Sequence, residues 1–157
     1  MRALSIRQPF AELILRGLKT IEYRSRPTKI IGQRFWIYAS KGQAARGKGP
    51  AQSASSTIRS LTSDNLAVGD PPPWMIELAN AMRLFPHELP TGVIVGSAII
   101  EKCVLSAQPA SSSRQSLSTP HPPPPTPFYE WHLTDIQRLT RPRKPHGHPQ
   151  PVWFQPF

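Results

Sequence analysis

Proline decides where this chain can pack. The 157 residues include twenty prolines, and seven of them fall between Ser106 and Pro127, a stretch with six serines and no acidic residue. Such a segment cannot bury enough apolar area to offset the entropy of ordering it. It reads as a linker-like insertion, part polyproline II and part disordered. A second loose stretch, Lys41 to Pro73, is dominated by glycine, serine, alanine and proline, and every charge before Asp64 is positive. It reads as a mobile basic loop. Roughly a hundred residues remain for the core, which is enough for a single compact domain.

The packable segments have distinct periodicities. Arg2 to Ile6 suits a short strand, and Gln8-Pro9 opens a helix with proline at its first position, where the missing N–H costs nothing. Phe10, Leu13, Ile14 and Leu18 recur at helical spacing, and Gly17 is placed to end that helix in a left-handed conformation. Lys19 to Arg24 and Arg34 to Ser40 carry the β-branched and aromatic residues of half-buried strands. Trp74, Leu78, Ala81, Met82 and Phe85 are spaced as a short amphipathic helix, with Pro86 and Pro90 marking its end. Thr91 to Leu105 is the clearest strand, and the small residues Gly96-Ser97-Ala98 inside it suggest a bulge, a corner or a close approach. Phe128 to Leu133 and Pro151 to Phe154 are two further strands, joined by a basic connection broken by prolines. Five or six short strands with two or three flanking helices make an α+β fold built on a small β-barrel. One domain over 1–157 is expected, with flexible insertions at 41–73 and 106–127.

Charge narrows the partners. A formal net charge of +10 favours anionic partners such as phosphate backbones. The single cysteine, Cys103, cannot form an internal disulfide, which fits a reducing, cytoplasmic setting. No apolar run approaches the ~20 residues of a spanning helix, so no membrane partner is expected. His132, His146, His148 and Cys103 lack paired zinc spacing, and the two tail histidines sit among prolines as a solvated segment. No metal and no cofactor are expected. The glycines at 42, 47 and 49 lack the order of a phosphate-cradling P-loop.

The most informative run is Gly17-Leu-Lys19-Thr-Ile-Glu22-Tyr-Arg24. Alternation puts Thr20, Glu22 and Arg24 on one strand face and Ile21 and Tyr23 on the other; Lys19 falls formally on the second, but beside the Gly17 turn it can swing to either side. A carboxylate two residues from an arginine can orient the guanidinium, and a nearby ammonium adds a compact charge for phosphate or, with a depressed pKa, a nucleophile or base. A surface ion pair on an amphipathic strand is the plainer reading of the same residues.

Ala3-Leu-Ser-Ile-Arg-Gln-Pro-Phe10, Glu12-Leu-Ile, and Gly17-x-Lys19-x-x-Glu22-x-Arg24 together resemble the opening of the ASCH (activating-signal-cointegrator homology) family, a branch of the PUA-like superfamily. The likeness continues through Ser25-Arg26-Pro27-Thr28, Ile37 to Ser40, Thr91 to Gly96 and Tyr129-Glu130-Trp131. It implies a PUA-like barrel with a cleft lined by the Gly-x-Lys-x-x-Glu-x-Arg run, and binding of RNA or DNA. The expected contact set is Arg7, Gln8, Lys19, Glu22, Arg24, Arg26, Ser40 and Trp131, with RNA ahead of DNA. Trp131 would stack a base, and Glu22 would accept from a base amine or hold Arg24. Some relatives hydrolyse an acylated cytidine with a lysine, a threonine and a glutamate, and some have been described as ribonucleases. That lysine maps onto Lys19, but Glu22 stands at the threonine's position, so the set is not matched. A hydrolase built on Lys19 and Glu22 is the alternative, and a basic surface for an acidic protein partner is a third. The sequence leaves the oligomeric state open.

Overall fold

The structure, a computed structural model, describes residues 1–40, 73–106, 128–150 and 152–157. The loop expected at 41–73 and the insertion expected at 106–127 lie outside the described residues, apart from their borders Pro73 and Ser106. The elements run β1 (Ala3–Arg7), α1 (Phe10–Leu15), β2 (Ile21–Arg24), β3 (Arg34–Ser40), α2 (Pro73–Ala81), β4 (Val93–Ser106), β5 (Phe128–Arg143) and β6 (Trp153–Phe154).

Six strands form one sheet in the order β2-β5-β4-β3-β1-β6. The pairing is antiparallel except between β1 and β3, where Ala3 pairs with Trp36 and Arg7 with Ser40. The expected barrel is not closed by a backbone ladder: β2 and β6 are edges. Both edges are short, four residues in β2 and two in β6. The sheet nevertheless rolls. β2 and β1 are four places apart, about 19 Å in a flat sheet, yet Arg24 Nη2 donates to Ser5 O at 2.8 Å. Trp131 of β5 stacks on Trp153 of β6 with ring centroids 5.7 Å apart, so the inner faces meet across the roll. The core inside it is Leu4, Ile6, Phe35, Ile37, Ile100 and Trp131, with α1 contributing Ala11 and Ile14.

Three local features explain how the sequence sets these elements. Pro9 stands at the N-cap of α1, one place before the expected first helical position, and its carbonyl accepts from Leu13 N at 3.0 Å. Gly17 adopts the expected left-handed conformation, with φ 72°. At Gly96, added side-chain bulk would run into Leu15 of α1 and the backbone of Gln137, and the β4–β5 register shifts between Ile94 and Gly96. The small residues therefore mark both a bulge and a close approach of helix to sheet.

β5 is much longer than expected and absorbs the basic segment read as a broken connection. Pro142 is tolerated because β2 pairs with β5 only as far as His132. Beyond that point β5 has β4 on one side, so a missing N–H can face away from the ladder. The residues from Trp74 onward form the expected second helix, ending at Ala81, and Leu13 of α1 packs against its Ala79. Two helices are seen among the described residues. None is long and apolar enough to cross a membrane.

A candidate nucleic-acid site at the start of β2

The turn after α1 delivers Lys19. Gly17 N and Leu18 N donate to Ile14 O and Leu13 O, and Lys19 N also bonds to Leu13 O, so Lys19 is still part of the helix exit when β2 begins. Strand alternation does not apply to it. Its side chain swings onto the Glu22 face, where Nζ donates to Ile21 O at 2.6 Å and to Glu22 Oε2. Glu22 Oε1 is held at 2.9 Å by Arg24 Nη2. One carboxylate thus bridges an ammonium and a guanidinium.

This cluster is largely shut away from solvent. The Lys19 side chain is 3% exposed, Glu22 10% and Arg24 19%. Burial pushes the Lys19 ammonium below its ordinary range, and Glu22 only partly restores it. For Glu22, burial alone would raise the carboxyl, but Lys19 and Arg24 outweigh it and hold it below the usual glutamate value. Among the described residues, Arg24 Nε is a buried donor without a hydrogen-bond partner. Such orphans are uncommon, because the desolvation is uncompensated.

The other expected site residues fall into two groups. The Trp131 indole lies 5.9 Å from the Arg24 guanidinium and donates from Nε1 to Arg26 O at 3.2 Å. It joins the cluster from the core side: it is 1% exposed and its stacking partner is Trp153. Arg26 is exposed beside it. Arg7 and Ser40 are register partners at the ends of the parallel pair. Gln8 is buried and ties α1 to the loop before β4, accepting from Glu12 N at 3.1 Å and donating to Pro90 O at 3.0 Å.

Sequence reasoning missed a second cluster one helix away. Glu12 is buried in α1, and its Oε1 accepts from Arg16 Nε at 2.8 Å and from Arg138 Nη2 at 2.7 Å. Arg138 Nη1 completes a fork to Oε2 at 3.1 Å. Burial would raise the Glu12 carboxyl, yet the two arginines hold it below its usual value. The available signal was a single carboxylate inside the run Ala11-Glu12-Leu13-Ile14, since a lone charge on a packed helix face implies a partner. No group of metal-ligating side chains occurs among the described residues.

Comparison with known proteins gives a family. No curated protein matches the chain. Among solved structures, the ASCH protein of Zymomonas mobilis is similar at 17% identity, over 91% of this chain and 72% of that one, with a TM-score of 0.45. A tyrosine-to-phenylalanine variant of the same protein matches at 17% identity and 0.46, over 91% and 74%. The ASCH domain model matches residues 4–143, which takes in α1, both carboxylate clusters and all of β5. The chain therefore belongs to the ASCH domain family.

Proposed function

We propose that this protein is a PUA-like nucleic-acid-binding module, with RNA preferred over DNA, that engages its ligand at the Lys19–Glu22–Arg24 cluster. The observation that carries this reading is Arg24 Nε, a buried donor with no acceptor among the described residues, on an arginine already oriented by Glu22 and Ser5. A phosphate or base oxygen reaching that N–H would satisfy it. Glu22 neutralises part of the local charge, so the site suits one anion rather than a stack of them. The net charge of +10 supplies the long-range attraction. Both oxygens of Glu22 are engaged, which favours its role as the holder of Arg24 over that of a base reader.

The test is fluorescence anisotropy with matched single-stranded RNA and DNA at low and moderate salt, followed by competition with mononucleotides. The reading expects tighter binding to RNA, displacement by nucleotide, and loss of that displacement in Arg24→Ala. Binding that nucleotides cannot displace would point to a diffuse basic surface and remove the site from the account.

One observation favours the hydrolase as a second reading. A nearly inaccessible lysine with a depressed pKa beside a carboxylate is a recurring catalytic arrangement. Water would add across the acyl C–N bond of an acylated cytidine, releasing the free nucleoside and a carboxylic acid. Chromatography of that nucleoside after incubation decides it: turnover lost in a folded Lys19→Met variant supports it, and no turnover by the wild type ends it.

A further inference from the structure

The Glu12 cluster holds more cation than its carboxylate needs. Arg138 alone satisfies both oxygens of Glu12 through its fork, the geometry in which a single guanidinium already matches a carboxylate. Arg16 adds a third bond through Nε, which keeps both of its terminal nitrogens outside the contact with Glu12. Because both arginines bond to the same oxygen, their donor nitrogens can be no farther apart than those two bonds laid end to end. Two guanidinium groups held this close repel each other, and only part of that is offset by one carboxylate. Their side chains are 40% and 47% exposed, so they meet solvent while their anchor does not.

We propose that Arg16 and Arg138 form a binding point for a phosphodiester of the nucleic-acid backbone, distinct from the Lys19–Glu22–Arg24 cluster. Glu12 acts as the positioning residue, fixing both guanidinium planes before the ligand arrives and so reducing the entropy lost on binding. A phosphodiester offers two unesterified oxygens, which two adjacent guanidinium groups can share. The helix exit links the two places: Arg16 is three residues before Lys19, on the same turn that delivers Lys19 to Glu22. One backbone passing the start of β2 would meet both. The inference rests on the nucleic-acid reading above for the identity of the ligand.

The experiment is anisotropy titration of a single-stranded RNA against log salt for wild type, Arg16→Ala, Arg138→Gln and Lys102→Gln, each confirmed as folded by circular dichroism. Lys102 is an exposed comparison residue, level with His132 and the start of β2 but six residues along β4 from the level of Arg138, or about 20 Å, so it tests whether any cation along the path serves as well. Arg16→Ala and Arg138→Gln are each expected to weaken binding several-fold and to flatten the slope by about 0.7, one single-strand phosphate contact. Arg16→Ala leaves the Arg138–Glu12 fork in place, so it stays informative if Arg138→Gln disturbs folding. Equal effects from Lys102→Gln would show a general field and overturn the inference. So would RNA binding that is sensitive to Arg24→Ala and indifferent to Arg16→Ala, or an Arg16-dependent affinity for polyglutamate without one for RNA. Absence of RNA binding by the wild type at low salt would overturn both this inference and the proposed function.

Discussion

Glu12 and Glu22 solve the same problem in two different ways. Each is a buried carboxylate bridging two cations, and each is held below the usual glutamate pKa. At Glu22 the cations are shut in with the carboxylate, and Lys19 is as buried as the core. At Glu12 the anchor is buried but the guanidinium groups reach solvent. The distinction follows from the elements. Lys19 and Glu22 sit at a helix exit and on a strand covered by the roll of the sheet, whereas Arg16 and Arg138 lie at a helix end and on the half of β5 that pairs with β4 but not β2. The closed cluster fixes the geometry of one arginine, Arg24, and the open one leaves two anchored guanidinium groups facing solvent.

The comparison is easiest to break by removing the anchors. Glu22→Ala is expected to cost about 3–5 kcal/mol, because it strands a buried lysine without its counter-charge. Glu12→Ala should cost less, about 1–3 kcal/mol, since its arginines can turn to solvent when released. Urea unfolding measures both, and equal costs would erase the distinction. Gly96→Ala comes next, at about 1–3 kcal/mol from overpacking against Leu15 and the backbone at Gln137. It should loosen α1 and disturb both clusters together, visible as chemical-shift changes at Arg16 and Lys19.

Acid sharpens the contrast further. Both carboxyls have native pKa values below the ordinary 4.5, so each contributes stability that is complete above that value. The contribution is lost as pH falls below 4.5 and through the lowered native values. Glu22→Gln should flatten this acid limb more than Glu12→Gln, as read from denaturation midpoints between pH 5 and 2. The smallest stability effect is expected from Arg16→Ala, at most about 1 kcal/mol, because this arginine is exposed and the Arg138 fork still satisfies Glu12. A larger loss there would make Arg16 a structural tie.

Much of this was legible in the sequence, and the failures have separate causes. The strands, both helices, the left-handed Gly17 and the tight site at Gly96 follow from local pattern. The Gly-x-Lys-x-x-Glu-x-Arg run located the first cluster because its members are neighbours in sequence. Alternation alone misassigned Lys19, since the helix exit extends past Gly17 and the strand begins only at Ile21. The partner of Glu12 was out of reach for a different reason. Arg138 is 126 residues away, in a segment whose prolines read as a break. Nothing local shows that β5 becomes an edge where Pro142 enters it. Trp131 was expected to stack a base, but its ring is buried and stacked on Trp153 instead, a contact made only when the sheet rolls.

At the seam of that roll the Arg24 side chain reaches Ser5 O, and Trp131 stacks on Trp153, where a closed barrel would have a ladder. Amides of β2 should therefore exchange with deuterium well before those of β3 and β4, because a four-residue edge opens without disturbing the centre. The segment carrying Glu22 and Arg24 would then be a low-stability foldon at the margin of a firmer sheet. A ligand that captures Arg24 would slow exchange from Ile21 to Arg24 and leave the centre unchanged, turning the open seam into a reporter of occupancy.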